Sequence, residues 1–169
     1  FKEDLTYVQL LELVKKLNRR LQRKDLPEVQ TSNKFNQFVQ QRQYYIKEQS
    51  QAGLTIKDDD PRWRHEFDNF KAVVSQEITR PLKPEQEKAS FFMTVMKRAA
   101  NFSVPGAGKT AMMYGTFAYL SSQRVNEVDK LLVVSPLNAF AAWRTEFEAV
   151  FGPKRKLHYL NMQHKKHNK

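Results

Sequence analysis

Ser103-Val104-Pro105-Gly106-Ala107-Gly108-Lys109-Thr110 is the stretch on which the fold turns. Glycines let successive backbone N–H groups turn inward on an anion with no Cβ in the way. A helix that starts at Thr110 adds the positive end of its dipole. In a phosphate-binding loop with this ending, Lys109 reaches the β- and γ-phosphates and the Thr110 hydroxyl holds Mg²⁺. The strict pattern asks for glycine where this chain has Ser103. The plain alternative is a glycine turn with a chance lysine, and context argues against it. Phe102-Ser103-Val104 reads as the end of a buried strand, and Thr110-Ala111-Met112-Met113-Tyr114 opens a helix to about residue 122.

Composition narrows the rest. The chain has 169 residues, room for one medium domain or a small one with an appendage. Its first residue is Phe1, so it is read as a piece of something longer. Lys and Arg number 29 against 18 Asp and Glu, a net charge of +11, which points to an anionic partner, nucleic acid before membrane. Cysteine is absent, which excludes disulfides and thiolate metal sites and fits a reducing compartment, cytoplasmic or nuclear. No apolar run approaches the roughly 20 residues that span a bilayer.

In chain order, Asp4 is a candidate cap for a first helix. Leu10, Val14, Leu17 and Leu21 form its apolar stripe, and Pro27 stops it. Lys15, Lys16, Arg19, Arg20, Arg23 and Lys24 fill much of the remainder. A solvated face is favoured for them over a helix laid along nucleic acid. Ser32 or Asn33 caps a second helix to about residue 49, and residues 50–61 read as a loop. Asp58, Asp59 and Asp60 are taken as solvated loop acids, because consecutive side chains diverge too much to share a metal. Trp63, Phe67, Phe70, Val73 and Val74 step along a further helical face as core.

A boundary is expected near Thr79-Arg80-Pro81. It separates a helical region, residues 1–79, from a second domain, residues 80–160, and residues 161–169 form a basic tail. His164 and His167 in that tail lack a third ligand, and a disordered tail is the favoured reading. A helix over about 85–98 precedes the loop. Leu131-Leu132-Val133-Val134 reads as a strand apolar on both faces, the mark of a covered parallel sheet. A helix over 138–151 follows, and Leu157-His158-Tyr159-Leu160 is a candidate third strand. Strand, helix, strand, helix, strand implies an α/β fold with a partial parallel sheet, preceded by the helical region.

Residues 80–160 resemble the opening of the first RecA-like lobe of superfamily-two helicases and translocases, nearest the Swi/Snf-type ATPases. Leu82-Lys83-Pro84-Glu85-Gln86 resembles the glutamine motif, Ser103 to Thr110 resembles motif I, and Val133-Val134-Ser135-Pro136-Leu137 resembles motif Ia. The resemblance implies ATP and Mg²⁺ as cofactors. Gln86 would read adenine, and Ser103, Pro105, Gly106, Ala107, Gly108, Lys109 and Thr110 would hold the phosphates and metal. Ser135, Pro136, Leu137 and Asn138 would touch a nucleic-acid backbone, DNA in preference to RNA.

No Asp-Glu pair follows an apolar run after Val134, and no second lobe is present. Phosphoryl transfer needs Mg²⁺, a positioned water and a charge-stabilising arginine together. The expectation is therefore the amino-terminal part of an ATP-driven translocase, inactive alone and completed by the rest of its own ATPase lobes. The runner-up is a non-catalytic module that binds nucleic acid or a protein partner. A small P-loop kinase fits less well, because residues 153–169 offer no lid.

Overall fold

The computed structural model describes residues 5–158, which fall into two compact units divided between Gln51 and Ala52. In the first unit, helix α1 spans Tyr7–Gln22. Its cap is Thr6: the Thr6 hydroxyl accepts the Gln9 N–H at 3.4 Å, and Gln9 Oε1 accepts the Thr6 N–H at 2.9 Å. This reciprocal box satisfies donors that a helix start otherwise leaves bare. Asp4, the cap expected from the sequence, lies outside the described residues. Inward packing uses Tyr7, whose ring meets Phe38 edge-on at 6.0 Å, and Asn18, whose Oδ1 accepts the Val29 N–H at 2.9 Å.

Helix α2 runs over Asn33–Lys57, with the Ser32 hydroxyl accepting the Phe35 N–H at 3.3 Å. It continues through much of the stretch expected to be a loop. Gly53 explains why: it is buried, and a Cβ built on it would lie 3.3 Å from both Met96 Sδ and the Phe92 ring. Close packing outweighs the weak helix propensity of glycine here.

Within Ala52–Lys169, a short 3₁₀ turn Pro61–Trp63 leads into α3, Arg64–Glu77. Asp60 caps that turn by accepting the Arg62 N–H at 3.0 Å, and Asp59 pairs with Lys88 at 2.7 Å. Helix α4 is Pro84–Met96, α5 is Lys109–Leu120 and α6 is Phe140–Phe151. Helix α5 is central and touches α3, α4 and α6. Its sequence is apolar nearly all round, as a helix enclosed by others must be.

At the α4–α5 crossing small residues bring the backbones together. A Cβ on Gly115 would lie 2.5 Å from Leu82 Cδ1 and 2.8 Å from Ser90 Oγ. The buried Ser90 hydroxyl meets the Met112 carbonyl of α5 at 2.8 Å, and Thr116 Oγ1 meets the Ser90 carbonyl of α4 at 3.2 Å. Against α6, the Tyr114 ring makes edge contacts with Trp143 at 5.5 Å, Phe147 at 5.6 Å and Phe151 at 5.5 Å. Its hydroxyl donates to the Trp143 carbonyl at 2.9 Å.

Residues 64–79, grouped with the helical front in the sequence, contribute Phe70, Val74 and Ile78 to the same core as Phe91, Tyr114, Phe147 and Phe151. The end of α6 is also tied to the stretch after α3. Thr79 donates its N–H to the Val150 carbonyl at 2.7 Å, and Lys154 Nζ reaches the Gln76 and Ile78 carbonyls at 2.7 and 2.9 Å. Arg155 pairs with Glu77 at 2.7 Å and lies over the Phe117 and Phe151 rings.

The expected α/β fold is not formed. The described residues are 66% helix with no strand, so there is no partial RecA-like parallel sheet among them. Residues 99–104 and 130–135 remain irregular and share no backbone hydrogen bonds with each other. Exposure alternates along both: Phe102 is 91% exposed, Val104 71%, Leu132 84% and Val134 89%, while Asn101, Ser103, Leu131 and Val133 are half-buried. Such alternation suits an extended chain, but a strand exists only when a neighbour accepts its ladder. Tyr159 and Leu160 of the third candidate strand lie outside the described residues.

Two outcomes are expected. Gly115→Ala should lower stability by about 1–3 kcal/mol in urea unfolding, because the added methyl overpacks the crossing. Unchanged stability would show that the crossing gives way freely. Burial, and after it the Glu146 carboxylate, push the Tyr114 hydroxyl up to about 12. The folded protein thus holds this proton above the ordinary tyrosine value of about 10. That stability is full below pH ~10 and fades as pH rises from there to 12. Tyr114→Phe should therefore cost about 1 kcal/mol at pH 8, and wild type's advantage should shrink in unfolding at pH 11.

Candidate nucleotide-binding site

The loop before α5 takes its shape from two glycines. Gly106 and Gly108 have φ of +84° and +82°, in the left-handed region that side chains with a Cβ disfavour. Gly108 is the residue from which α5 springs. The Ala107 N–H closes a turn onto the Val104 carbonyl at 3.2 Å, and the first helical bond runs from the Met112 N–H to the Gly108 carbonyl at 3.1 Å. The N–H groups of Gly108, Lys109, Thr110 and Ala111 therefore have no acceptor among the described residues. They are the four donors that every α-helix leaves open at its start.

Lys109 is the first residue of α5. Its Nζ folds back over the loop, donating to the Val104 carbonyl at 3.0 Å and to the Ser103 carbonyl. An ammonium thus stands at the same loop as the open N–H groups at the positive end of a helix, an arrangement of the kind that attracts anions. The half-buried Thr110 has no hydrogen-bond partner for its hydroxyl among the described residues.

Gln86 does lie at this loop. Its Nε2 donates to the Ala107 carbonyl at 3.1 Å, and its Oε1 accepts the Lys83 N–H at 3.1 Å. A Cβ on Gly108 would overlap that same Nε2. Gln86 thus braces the loop from α4. Pro105 and Gly106 are exposed, and Ser103, Ala107 and Gly108 are half-buried.

Asn101 is a part of the site that the sequence did not disclose. Its Oδ1 accepts both the Ser103 N–H at 3.0 Å and the Ser103 hydroxyl at 2.6 Å. Asn followed two residues later by Ser is the signal for such a side-chain-to-backbone turn. It was masked by reading the stretch as strand.

Ser135, Pro136, Leu137 and Asn138 are placed apart from the loop in hydrogen-bonding terms. They form the entry to α6: a 3₁₀ turn Leu137–Ala139 is closed by the Ala139 N–H on the Pro136 carbonyl at 2.9 Å. Pro136, Leu137 and Asn138 are exposed. No hydrogen bond among the described residues joins them to 103–110.

For the implied cofactor, the loop fits a phosphate group. Space around Gly106 is open, since a Cβ there meets nothing within 4 Å. For Mg²⁺ the chain offers the Thr110 hydroxyl. No cluster of three or more His, Cys, Asp or Glu that could hold a metal occurs among the described residues. Mg²⁺ commonly takes few protein ligands and completes its shell with phosphate oxygens and water. Compared with protein-family models, curated proteins and solved structures, the chain gives no match.

Gly108→Ala combines a strained φ with a clash on Gln86, and should weaken ATP binding about tenfold or more while leaving the helical circular dichroism in place. Wild-type affinity in that variant, read by calorimetry, would show that the loop does not bind phosphate through this geometry.

Proposed function

We propose that this chain binds Mg-ATP through residues 103–110, as the nucleotide-binding part of an ATP-dependent helicase or translocase that acts on DNA. The observation that carries the reading is the conjunction at the start of α5. Open N–H groups of residues 108–111, two left-handed glycines and the Lys109 ammonium converge on one loop. On binding, Lys109 would leave the Ser103 and Val104 carbonyls for β- and γ-phosphate oxygens. Thr110, one residue further on, would offer its hydroxyl to the metal. Gln86 would hold Ala107 and Gly108 in shape while its remaining polar capacity faces a base.

These groups bind and orient a triphosphate. They do not activate a water or stabilise the transferring phosphoryl group, tasks that fall to an acid and an arginine in such motors. Those groups would come from other segments of the intact motor. The basic charge supports a polyanionic track, with Ser135 to Asn138 as candidate contacts. A second reading, a non-catalytic binding module, is favoured by the all-helical described structure.

Calorimetry of the 169-residue chain with Mg-ATP tests the proposal. Saturable binding is expected, lost in Lys109→Ala, with no turnover above background. Absence of binding, or equal binding by the variant, would move the function to the second reading. Turnover that Lys109→Ala abolishes would overturn the division of labour.

A further inference from the structure

Helix α1 carries a feature that the nucleotide site does not use. Lys15, Arg19 and Arg23 follow one another at steps of four, and Lys16, Arg20 and Lys24 do the same one residue on. Arg23 is the C-cap of α1 and Lys24 lies in the turn beyond it, so at 100° per residue the two rows run from Lys15 to Arg23 over nearly half of the helix circumference, a strip roughly 12 Å long. All six residues are exposed, and none has an ion pair or side-chain hydrogen bond among the described residues. Helix α1 contains one acid, Glu12, a turn before the strip.

The opposite side of α1 is occupied. Leu10, Leu11, Val14 and Leu21 are half-buried there, and Tyr7 and Asn18 hold Phe38 and Val29, while Leu13, also half-buried, borders the Arg20 row. Basic residues near a helix C-terminus favour the dipole, which accounts for Arg19 and Arg20. It does not account for Lys15 and Lys16, which stand further from that end.

From this placement we infer that the α1 strip is a docking surface for the phosphate backbone of duplex nucleic acid. The inference rests on the nucleic-acid part of the proposed function and adds a surface outside the ATPase-like segment. It replaces the solvated-face reading of the sequence. Duplex DNA presents a charge about every 1.7 Å of axis, so roughly 12 Å faces about seven phosphates over both strands. Unpaired cations bind such a lattice by releasing its counterions and need no base contacts. An anionic membrane is the competing surface. An amphipathic helix inserts by burying its apolar face in lipid, and on α1 Tyr7, Leu10, Leu11, Val14 and Leu21 of that face are already half-buried against the chain.

The test uses the whole chain and a fluorescein-labelled duplex of about 20 base pairs, with anisotropy read across a salt series. The triple variant Arg19→Gln, Arg20→Gln, Arg23→Gln keeps good helix formers. It should bind at least about tenfold more weakly at low salt, with the slope of log K against log [NaCl] shallower by about three. A charge-matched control, Arg124→Gln, Lys130→Gln, Lys156→Gln, should stay within about twofold of wild type. The triple Arg→Lys variant at 19, 20 and 23 should retain binding. Equal losses in strip and control variants would assign binding to net charge. No loss in the strip variant, or loss in the Arg→Lys variant, would also overturn the inference. So would loss of adsorption to phosphatidylserine vesicles with duplex affinity intact. The strip variant should keep wild-type ATP affinity and Lys109→Ala should keep duplex affinity, so either proposal can fail alone.

Discussion

The crossing of α4 and α5 at Ser90 and Gly115 is the contact on which the larger unit depends. Glycine removes the one Cβ that would hold the helices apart. The gap closes far enough for the Ser90 and Thr116 hydroxyls to reach the carbonyls of the opposite helix. Both groups are buried, and each hydroxyl also lies within reach of the carbonyl four residues back in its own helix, so neither is left unsatisfied. The same approach brings Gln86, one turn before Ser90, beside the start of α5. Its reach to the Ala107 carbonyl thus follows from a packing decision made two turns into α5, away from any ligand. A loop rich in glycine would otherwise be loose. Gln86 from α4 and Asn101 from the preceding segment hold it at both ends.

Helices were legible because their information is local. Apolar residues at steps of three and four placed α1 and α3, and helices over about 85–98, 110–122 and 138–151 were expected where α4, α5 and α6 form. The glycine turn ahead of α5 is local as well, and Gly106 and Gly108 do take left-handed φ there. The sheet did not, because strand formation is a property of pairs. Leu131-Leu132-Val133-Val134 has the composition of a central strand, yet among the described residues it meets no partner backbone. The length of α2 was missed for a related reason. Gly53 argues locally for a break, whereas Phe92 and Met96, some forty positions on in sequence, make it a close contact. Asn101 was overlooked because its role is a side-chain bond to a residue two positions away, which hydropathy does not record.

Positive charge is used in more than one way. Lys154 and Arg155 are spent on structure, capping carbonyls at the C-terminal end of α3 and pairing with Glu77 beside aromatic rings. Arg80 is likewise held by Glu146. Among the described residues Lys109 is held by loop carbonyls alone, which an anion can displace. The α1 cations are held by nothing charged among the described residues. A bare count of lysines and arginines would treat all of these alike, and the hydrogen-bond pattern separates them.

Phe102, Val104, Leu132 and Val134 have a consequence for how the molecule behaves in quantity. Four large apolar side chains stand in water on backbone that no ladder occupies. Exposed apolar segments with unpaired backbone favour cross-β pairing between copies. Repulsion from the net charge opposes this at low ionic strength, but salt screens it. The solubility of the purified chain is therefore set by a balance between two short apolar stretches and ionic strength, and concentrated salt would tip it toward fibrils or amorphous precipitate.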